Sequence, residues 1–324
     1  MLYEVADTLQ SWGIGLLFYP GLVFAMAVWL AGEWMVDSLR PMLTPRLYRI
    51  PTRHRHFLQP LYDFFKLAGR RRATPDQTWS TDARPNHALT GLPANALQFA
   101  CVLAPLLALA LLPLPGSAAT PELGGAGDLI TVLALLVAQP LAVALTHMSH
   151  GGLPMLRGAQ DIGRLLTGLV PALVAVGALA EASFSRSLLP AELTAAPQTP
   201  TQTLVRLLAA AVLLLSLPWW VGRSTVASAF MGAGDTGAGA YLGMRLQAVA
   251  LAAVWSLLVL PTPGELAWAL AVTVGGTLFA FTTMRLVSER VEAARRERDA
   301  ANLTWATALP VALLALGLAI WPGV

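Results

Sequence analysis

One short segment carries polar side chains at helical spacing among several arginines. Gln59, Asp63 and Lys66 follow one another at intervals of four and three residues, which places them on one side of a helix. A helix of this kind beside many guanidinium groups suits recognition of anionic lipid headgroups or of an acidic protein surface. The sequence therefore predicts a docking surface at this segment. Its candidate residues are Arg49, Arg53, Arg55, Gln59, Asp63 and Lys66.

Four carboxylates near apolar stretches are candidates for a proton path. A carboxylate in lipid is costly and is retained where it relays protons. The candidates are Glu33, Asp37, Asp161 and Asp235. Asp161 lies between Arg157 and Arg164, so a local ion pair with arginine is an alternative interpretation of that residue.

No metal site is predicted in this chain. Cys101 is its single cysteine and lies in an apolar run, so this chain alone cannot supply a thiolate cluster for iron–sulfur or zinc. His147 and His150 are three residues apart, but two histidines without a third ligand favour interfacial hydrogen bonds. Any electron carrier is therefore expected in a partner subunit.

The polar residues of the predicted docking surface belong to an amphipathic helix over residues 57–68. Its apolar residues cluster towards the opposite side of the helix; they are Leu58, Leu61, Phe64, Phe65 and Leu67. The helix is too short to cross a bilayer. We therefore predict that it lies flat at the membrane surface, within a basic loop over residues 40–93.

The composition predicts an all-α integral membrane protein with a single membrane domain over residues 1–324. Hydrophobic residues make up 56% of the chain and charged residues 12%, whereas soluble domains carry roughly 25% charged residues. Eight apolar blocks have about the length that a bilayer requires. The predicted spans are 12–31, 94–113, 129–148, 165–184, 204–221, 246–261, 266–286 and 303–321. Within the third, Gln139-Pro140 predicts a kink whose freed backbone groups find a neighbouring helix or water.

The distribution of cations predicts the orientation of these spans. Of the 21 lysines and arginines, all but Arg186 and Arg206 fall in or beside the loops on one side, including Arg245 and Arg285. Because cytoplasmic loops carry the excess of positive charge, both termini are predicted outside. The expected location is the bacterial cytoplasmic membrane.

The segment Leu58-Gln-Pro-Leu-Tyr-Asp-Phe-Phe-Lys-Leu67 resembles a family signature, Leu-Gln-Pro-x-x-Asp-x-x-Lys-Leu. The signature follows the first transmembrane helix in the subunit 1 family of respiratory complex I, the NADH-quinone oxidoreductase. That family includes the equivalent membrane subunits of energy-converting hydrogenases and formate hydrogenlyase. Weaker similarities, such as Ser149-His-Gly-Gly-Leu-Pro-Met-Leu-Arg-Gly-Ala159, extend the resemblance over roughly residues 21–179.

The resemblance implies a membrane subunit that joins the peripheral redox arm of an oxidoreductase to its membrane arm. The implied partners are peripheral iron–sulfur subunits with a hydrogenase-like or quinone site, antiporter-like membrane subunits and the lipid bilayer. Iron–sulfur clusters, and a nickel–iron centre or a quinone, would belong to those partners. No cofactor in this chain, no catalytic residue and no nucleic-acid partner are expected.

The family's proton-translocation route is not reproduced in this sequence. Where the family has Tyr-Glu-Pro inside the fourth span, this chain has Leu169-Val170-Pro171, and Ala240 replaces the glutamate expected before Tyr241. A membrane anchor without that route is thus the predicted function. The alternative is a stand-alone transporter or channel, although the sequence shows no internal repeat of the kind that many transporters have.

Overall fold

A computed structural model describes most of the apolar part of the chain. The described residues are 13, 16–43, 57–68, 94–115, 129–149, 152–183, 199–221, 236–260, 265–293 and 297–320. Within them the regular structure is helical throughout. The all-α class that the apolar composition predicted is therefore confirmed for this part of the chain.

Nine α-helices follow one another along the described residues. They are α1 (Leu22–Leu43), α2 (Gln59–Ala68), α3 (Ala94–Leu111), α4 (Leu129–Ser149), α5 (Gly152–Ala182), α6 (Pro200–Ser216), α7 (Thr236–Val259), α8 (Leu266–Ala293) and α9 (Glu297–Ile320). A short 3₁₀ turn, Leu217–Trp219, follows α6 directly. The short helix α2 is the predicted amphipathic segment. The helices from α3 to α9 each contain one of the predicted apolar blocks or most of it. Helix α1 begins ten residues after the start of the predicted span 12–31 and contains only its second half, because residues 18–21 form a turn.

Five helices are long and apolar enough to cross a membrane. The windows that meet this condition are Leu22–Leu39, Gly158–Ala182, Pro200–Trp219, Tyr241–Val259 and Leu266–Ser288, in α1, α5, α6, α7 and α8. The apolar helical stretches Phe99–Leu111, Leu129–Leu145 and Thr304–Ile320 are shorter. Eight spans therefore stay a prediction, while the described part of the chain holds five full-length candidates.

Helix α7 lies at the centre of the bundle. It packs against α1, α2, α3, α4, α6 and α8. Of its apolar window 94% is buried, compared with 39% for the windows of α1, α6 and α8. A span with this much burial contacts protein on all sides, and its surroundings are set by the neighbouring helices.

Small residues allow the helices around α7 to approach closely. A Cβ atom added at Gly243 of α7 would lie 2.5 Å from the carbonyl oxygen of Cys101 on α3. A Cβ atom at Gly168 of α5 would collide with the carbonyl oxygen of Ser216 at the end of α6. Such contacts are typical of membrane bundles, in which close backbone packing replaces the hydrophobic driving force.

The carbonyl freed by the proline in α4 has a partner on a neighbouring helix, as the sequence predicted, whereas the kink stays a prediction. Pro140 has no N–H, so the carbonyl of Leu136 cannot receive the usual hydrogen bond from the residue four positions later. The side chain of Gln247 on α7 donates to that carbonyl instead, with Nε2 2.5 Å from the Leu136 oxygen. The prediction that a neighbouring helix compensates for this proline is confirmed for the carbonyl.

Candidate functional site

A buried ion cluster joins three helices of the bundle. The Glu33 carboxylate on α1 accepts hydrogen bonds from two arginines at the same oxygen, Oε1. Nη1 of Arg245 on α7 lies 2.5 Å from it and Nε of Arg285 on α8 lies 3.1 Å from it. All three side chains are buried, so the cluster is shielded from the surroundings of the bundle.

The antiparallel course of the chain brings these residues to one end of the bundle. Glu33 lies in the second half of α1, Arg245 in the first half of α7 and Arg285 in the last part of α8. At about 1.5 Å of rise per residue, Glu33 is about 9 Å from Leu39, Arg245 about 6 Å from Tyr241 and Arg285 about 5 Å from Ser288. Leu39 and Ser288 are the last residues of their apolar windows, and Tyr241 is the first residue of its window. The cluster thus lies inside the candidate spans rather than in the connecting loops.

Aromatic side chains enclose the cluster on the side of α7. The guanidinium of Arg245 lies over the ring of Tyr241, with 5.0 Å between the guanidinium carbon and the ring centroid. Tyr241 in turn meets Trp29 of α1 edge to face, with 6.0 Å between the centroids. A cation over a ring is stabilised more strongly when it is removed from water. The aromatic pair therefore fixes the position of Arg245 as well as excluding solvent.

The electrostatics of the cluster make it a connection between helices. Charges in a low-dielectric interior attract more strongly than at a surface, but removing one partner leaves the others desolvated. Glu33 is the shared acceptor, so one carboxylate links α1 to both α7 and α8. Gly32, the preceding residue, lies directly against the ring of Phe281 on α8, which keeps α1 and α8 close at this level.

The amphipathic helix α2 packs against α7, the helix that carries Arg245. Phe64 is half-buried against the main hydrophobic core, and the side chains of Gln59 and Asp63 are hydrogen-bonded to each other at 2.9 Å. Lys66 is exposed. The structure thus brings together two of the three predicted polar residues of this helix, Gln59 and Asp63.

The apolar residues of α2 differ in their exposure. Phe64 and Leu61 are half-buried, whereas Leu58, Tyr62 and Phe65 are exposed at 56%, 63% and 61%. Leu58, Tyr62 and Phe65 recur at intervals of four and three residues, so they form one outward stripe. Phe64 and Leu61 thus lie nearer the bundle than Leu58 and Phe65, and a single apolar side that lies on the membrane stays a prediction.

The remaining predicted residues fall in several places. Arg49, Arg53, Arg55 and Asp235 lie outside the described residues. Asp37 is half-buried one turn beyond Glu33 on α1. Asp161 is half-buried on α5, which packs against α4, α6 and α9, whereas the helix of Glu33 packs against α7 and α8. The structure therefore places Glu33, among the predicted proton-path carboxylates, in the buried cluster with two arginines.

Sequence reasoning did not identify Arg245 and Arg285 as members of a site. Counting cations by side of the membrane assigns both to basic loops, but Arg245 lies within α7, which begins at Thr236 rather than near Leu246, and Arg285 lies within α8. The sequence next to each arginine could have indicated its position inside a span. Leu246-Gln-Ala-Val-Ala-Leu follows Arg245, and Phe-Thr-Thr-Met284 precedes Arg285. A cation that directly adjoins an apolar run is a candidate for a position inside the span.

Among the described residues, no group of three or more histidine, cysteine or acidic side chains could hold a metal ion. The contacts that the structure gives for the site are ion pairs and aromatic contacts, beside an exposed apolar stripe on α2.

The fold and the apolar helices define a multi-pass membrane protein with an all-helical bundle. No protein-family model matches this chain, and no curated protein matches its sequence. The structure is similar to a chain in the membrane-bound sulfane sulfur reductase (MBS), described as an archaeal respiratory membrane complex, with a TM-score of 0.67. The similarity covers 97% of this chain and 99% of that chain at 18% sequence identity. It shows a shared fold over essentially the full length of both chains.

Proposed function

We propose that this protein is a membrane subunit of a multi-subunit respiratory-type oxidoreductase, in which it holds a peripheral redox module against the bilayer. The observation that carries the proposal is the outward apolar stripe of α2, formed by Leu58, Tyr62 and Phe65 on a helix anchored to α7. An aromatic and aliphatic stripe next to a basic segment has the composition of a protein interface centre with a charged rim. The full-length fold similarity to a chain of a respiratory membrane complex supports the same assignment.

The ion cluster supports a docking role because it holds the helix beneath α2 in place. A docking helix can position its partner only if the helix on which it packs is itself held rigidly. The support here is α7, whose Arg245 is bound to Glu33 of α1, which also binds Arg285 of α8. The proposed interface comprises the stripe of α2, the polar residues Gln59, Asp63 and Lys66, and the arginines Arg49, Arg53 and Arg55.

The resemblance to the complex I subunit 1 family suggests the kind of partner. Peripheral iron–sulfur subunits with a hydrogenase-like or quinone site, together with antiporter-like membrane subunits, are the proposed neighbours. Between these kinds of complex we favour the hydrogenase type, including formate hydrogenlyase, because the aromatic form Leu61-Tyr-Asp-Phe-Phe-Lys66 is nearer to that branch.

Proton passage along the family's route is not part of the proposal. Val170 occupies the position that the resemblance assigns to an intramembrane glutamate, and its side chain is 39% exposed on α5. A Val170→Glu change would therefore place its carboxylate at the surface of the chain, where it meets lipid or another subunit.

The test is purification of the native assembly in a gentle detergent with Tyr62→Glu. A carboxylate in the centre of an apolar interface loses the aromatic contact and adds an unpaired charge, so we expect retention of the iron–sulfur partner to fall by about 10- to 30-fold in apparent affinity. Leu156→Glu is the matched control, because Leu156 on α5 is 62% exposed, as Tyr62 is at 63%. The control should insert and keep its partners.

The outcomes separate three functions. Loss of the partner with Tyr62→Glu but not with Leu156→Glu supports docking on α2. Full retention with Tyr62→Glu shows that the stripe meets lipid instead, and the docking role fails. If the unmodified protein purifies alone, the stand-alone transporter or channel replaces the proposal.

Exchange of Arg49, Arg53 and Arg55 for glutamine is also expected to weaken retention of the iron–sulfur partner, most visibly at low salt.

A further inference from the structure

Two fully buried glutamines lie on the neighbouring helices α4 and α7. Gln139 and Gln247 are both fully buried, with 0% exposure. Among the described residues, neither the Oε1 nor the Nε2 atom of Gln139 has a hydrogen-bond partner, and neither has the Oε1 atom of Gln247. Most buried polar atoms in proteins are hydrogen-bonded, so three such atoms on neighbouring helices require an explanation.

The missing N–H of Pro140 in α4 determines where the Gln247 amide is placed. Gln247 reaches from α7 to the carbonyl oxygen of Leu136, which Pro140 leaves without its helical donor. Gln139 lies three residues after Leu136, so its side chain emerges on the same side of α4, one turn further along. The amides therefore share one region of the α4–α7 contact. Both residues lie inside apolar helical stretches, Leu129–Leu145 and Tyr241–Val259.

The chemistry of these atoms specifies a small neutral ligand. A primary amide offers two N–H donors and a carbonyl acceptor, and the unpartnered set is one amide nitrogen with two amide oxygens. A group that satisfies such a set must both donate and accept. Buried waters have this property, since they bind where two to four polar atoms lack protein partners. The lipid phase offers these amides no alternative partner.

We propose that Gln139 and Gln247 hold water between α4 and α7, so that the interior of the bundle contains a hydrated polar site beside Pro140. Gln139 Nε2 donates to the water, and the Oε1 atoms of Gln139 and Gln247 accept from it. The inference does not depend on the proposed docking function.

Radiolytic hydroxyl-radical footprinting of the detergent-solubilised, unmodified protein tests the site directly. Radicals formed from a bound water oxidise the adjacent side chains even when bulk solvent is excluded. Leu136 should be modified at least several-fold more than Leu251, which is equally buried on α7 beside apolar neighbours. Labelling of Leu136 no greater than that of Leu251 would show that the site is dry and would overturn the proposal.

A second measurement uses thermal unfolding of Gln139→Leu. If the site is dry, leucine removes unsatisfied polar atoms from an apolar interior, and the variant melts at a higher temperature than the parent. If water is bound, leucine removes its donor and one of its acceptors, and the variant melts at a lower temperature. Gln160→Leu is the matched control, since Gln160 is exposed on α5 and its substitution should change the melting temperature little.

Discussion

Glu33 is the residue on which the buried ion cluster depends, and its substitution has a calculable effect. Glu33→Ala removes the acceptor that Arg245 Nη1 and Arg285 Nε share. Breaking a buried pair by deleting one partner typically costs about 3–5 kcal/mol, because a desolvated charge is left behind. In terms of the folded-to-unfolded ratio this is a loss of roughly 150- to 5,000-fold.

The same loss can be expressed as a melting temperature. An unfolding entropy of about 2.1 cal/mol/K per residue gives about 0.7 kcal/mol/K for this 324-residue chain, so Glu33→Ala should lower the midpoint by about 4–7 °C. Cys101 supplies the assay. It is the single cysteine and is buried, so a thiol-reactive dye in detergent reports the opening of the bundle.

Two further variants test whether the loss of stability in Glu33→Ala comes from the buried ion pairs. Glu265→Ala removes an exposed carboxylate just before α8 and should leave the midpoint nearly unchanged. The triple change Glu33→Leu, Arg245→Met and Arg285→Met removes all the charges together, and it should regain at least half of the stability lost in Glu33→Ala. If Glu33→Ala melts within about 1 °C of Glu265→Ala, the ion pairs contribute no more than surface pairs, and the reasoning is refuted.

Two packing contacts give further predictions with the same dye. Gly243→Ala places a methyl group against the Cys101 carbonyl and should destabilise the protein by about 1–3 kcal/mol, whereas Gly275→Ala, which has open space, should be neutral or stabilising by up to about 1 kcal/mol. Equal midpoints for these variants would contradict the close approach of α3 and α7. Trp219→Phe removes the 3.1 Å hydrogen bond from the indole to the Thr304 hydroxyl and should cost about 0.5–1.5 kcal/mol. No change in the Trp219→Phe midpoint would show that this bond adds nothing to the contact with α9.

The parts of the fold that follow local rules were predictable from sequence. Apolar runs of membrane length became helices, and the pattern after Phe57 became the helix α2. The freed carbonyl near Pro140 followed from the missing N–H of proline, which is a local property, whereas its donor Gln247 lies 111 residues away from Leu136. For the helices and for that carbonyl the controlling information lies within a few residues of the feature.

The candidate site was not predictable in the same way, because its members are distant in sequence. Arg245 looks like a loop cation when cations are counted by side of the membrane, a rule that describes averages over loops. Its pairing with Glu33 depends on how α1 and α7 are rotated about their axes, which the apolar pattern leaves open. The side of α2 that packs on α7 was open in the sequence for a related reason. A helix that is apolar around much of its surface does not reveal which side another helix will cover.

The separation of the ion pairs along the chain has a consequence for biogenesis. Glu33 precedes Arg245 by 212 residues and Arg285 by 252 residues. At translation rates of about 5–20 residues per second, roughly 10–40 s pass between the synthesis of Glu33 and that of Arg245. During that interval the ribosome has released a helix whose carboxylate is not yet neutralised by α7. Nascent chains that stop before Thr236 should therefore be substrates for membrane quality control. Insertion of α7 should protect the protein from degradation by that system.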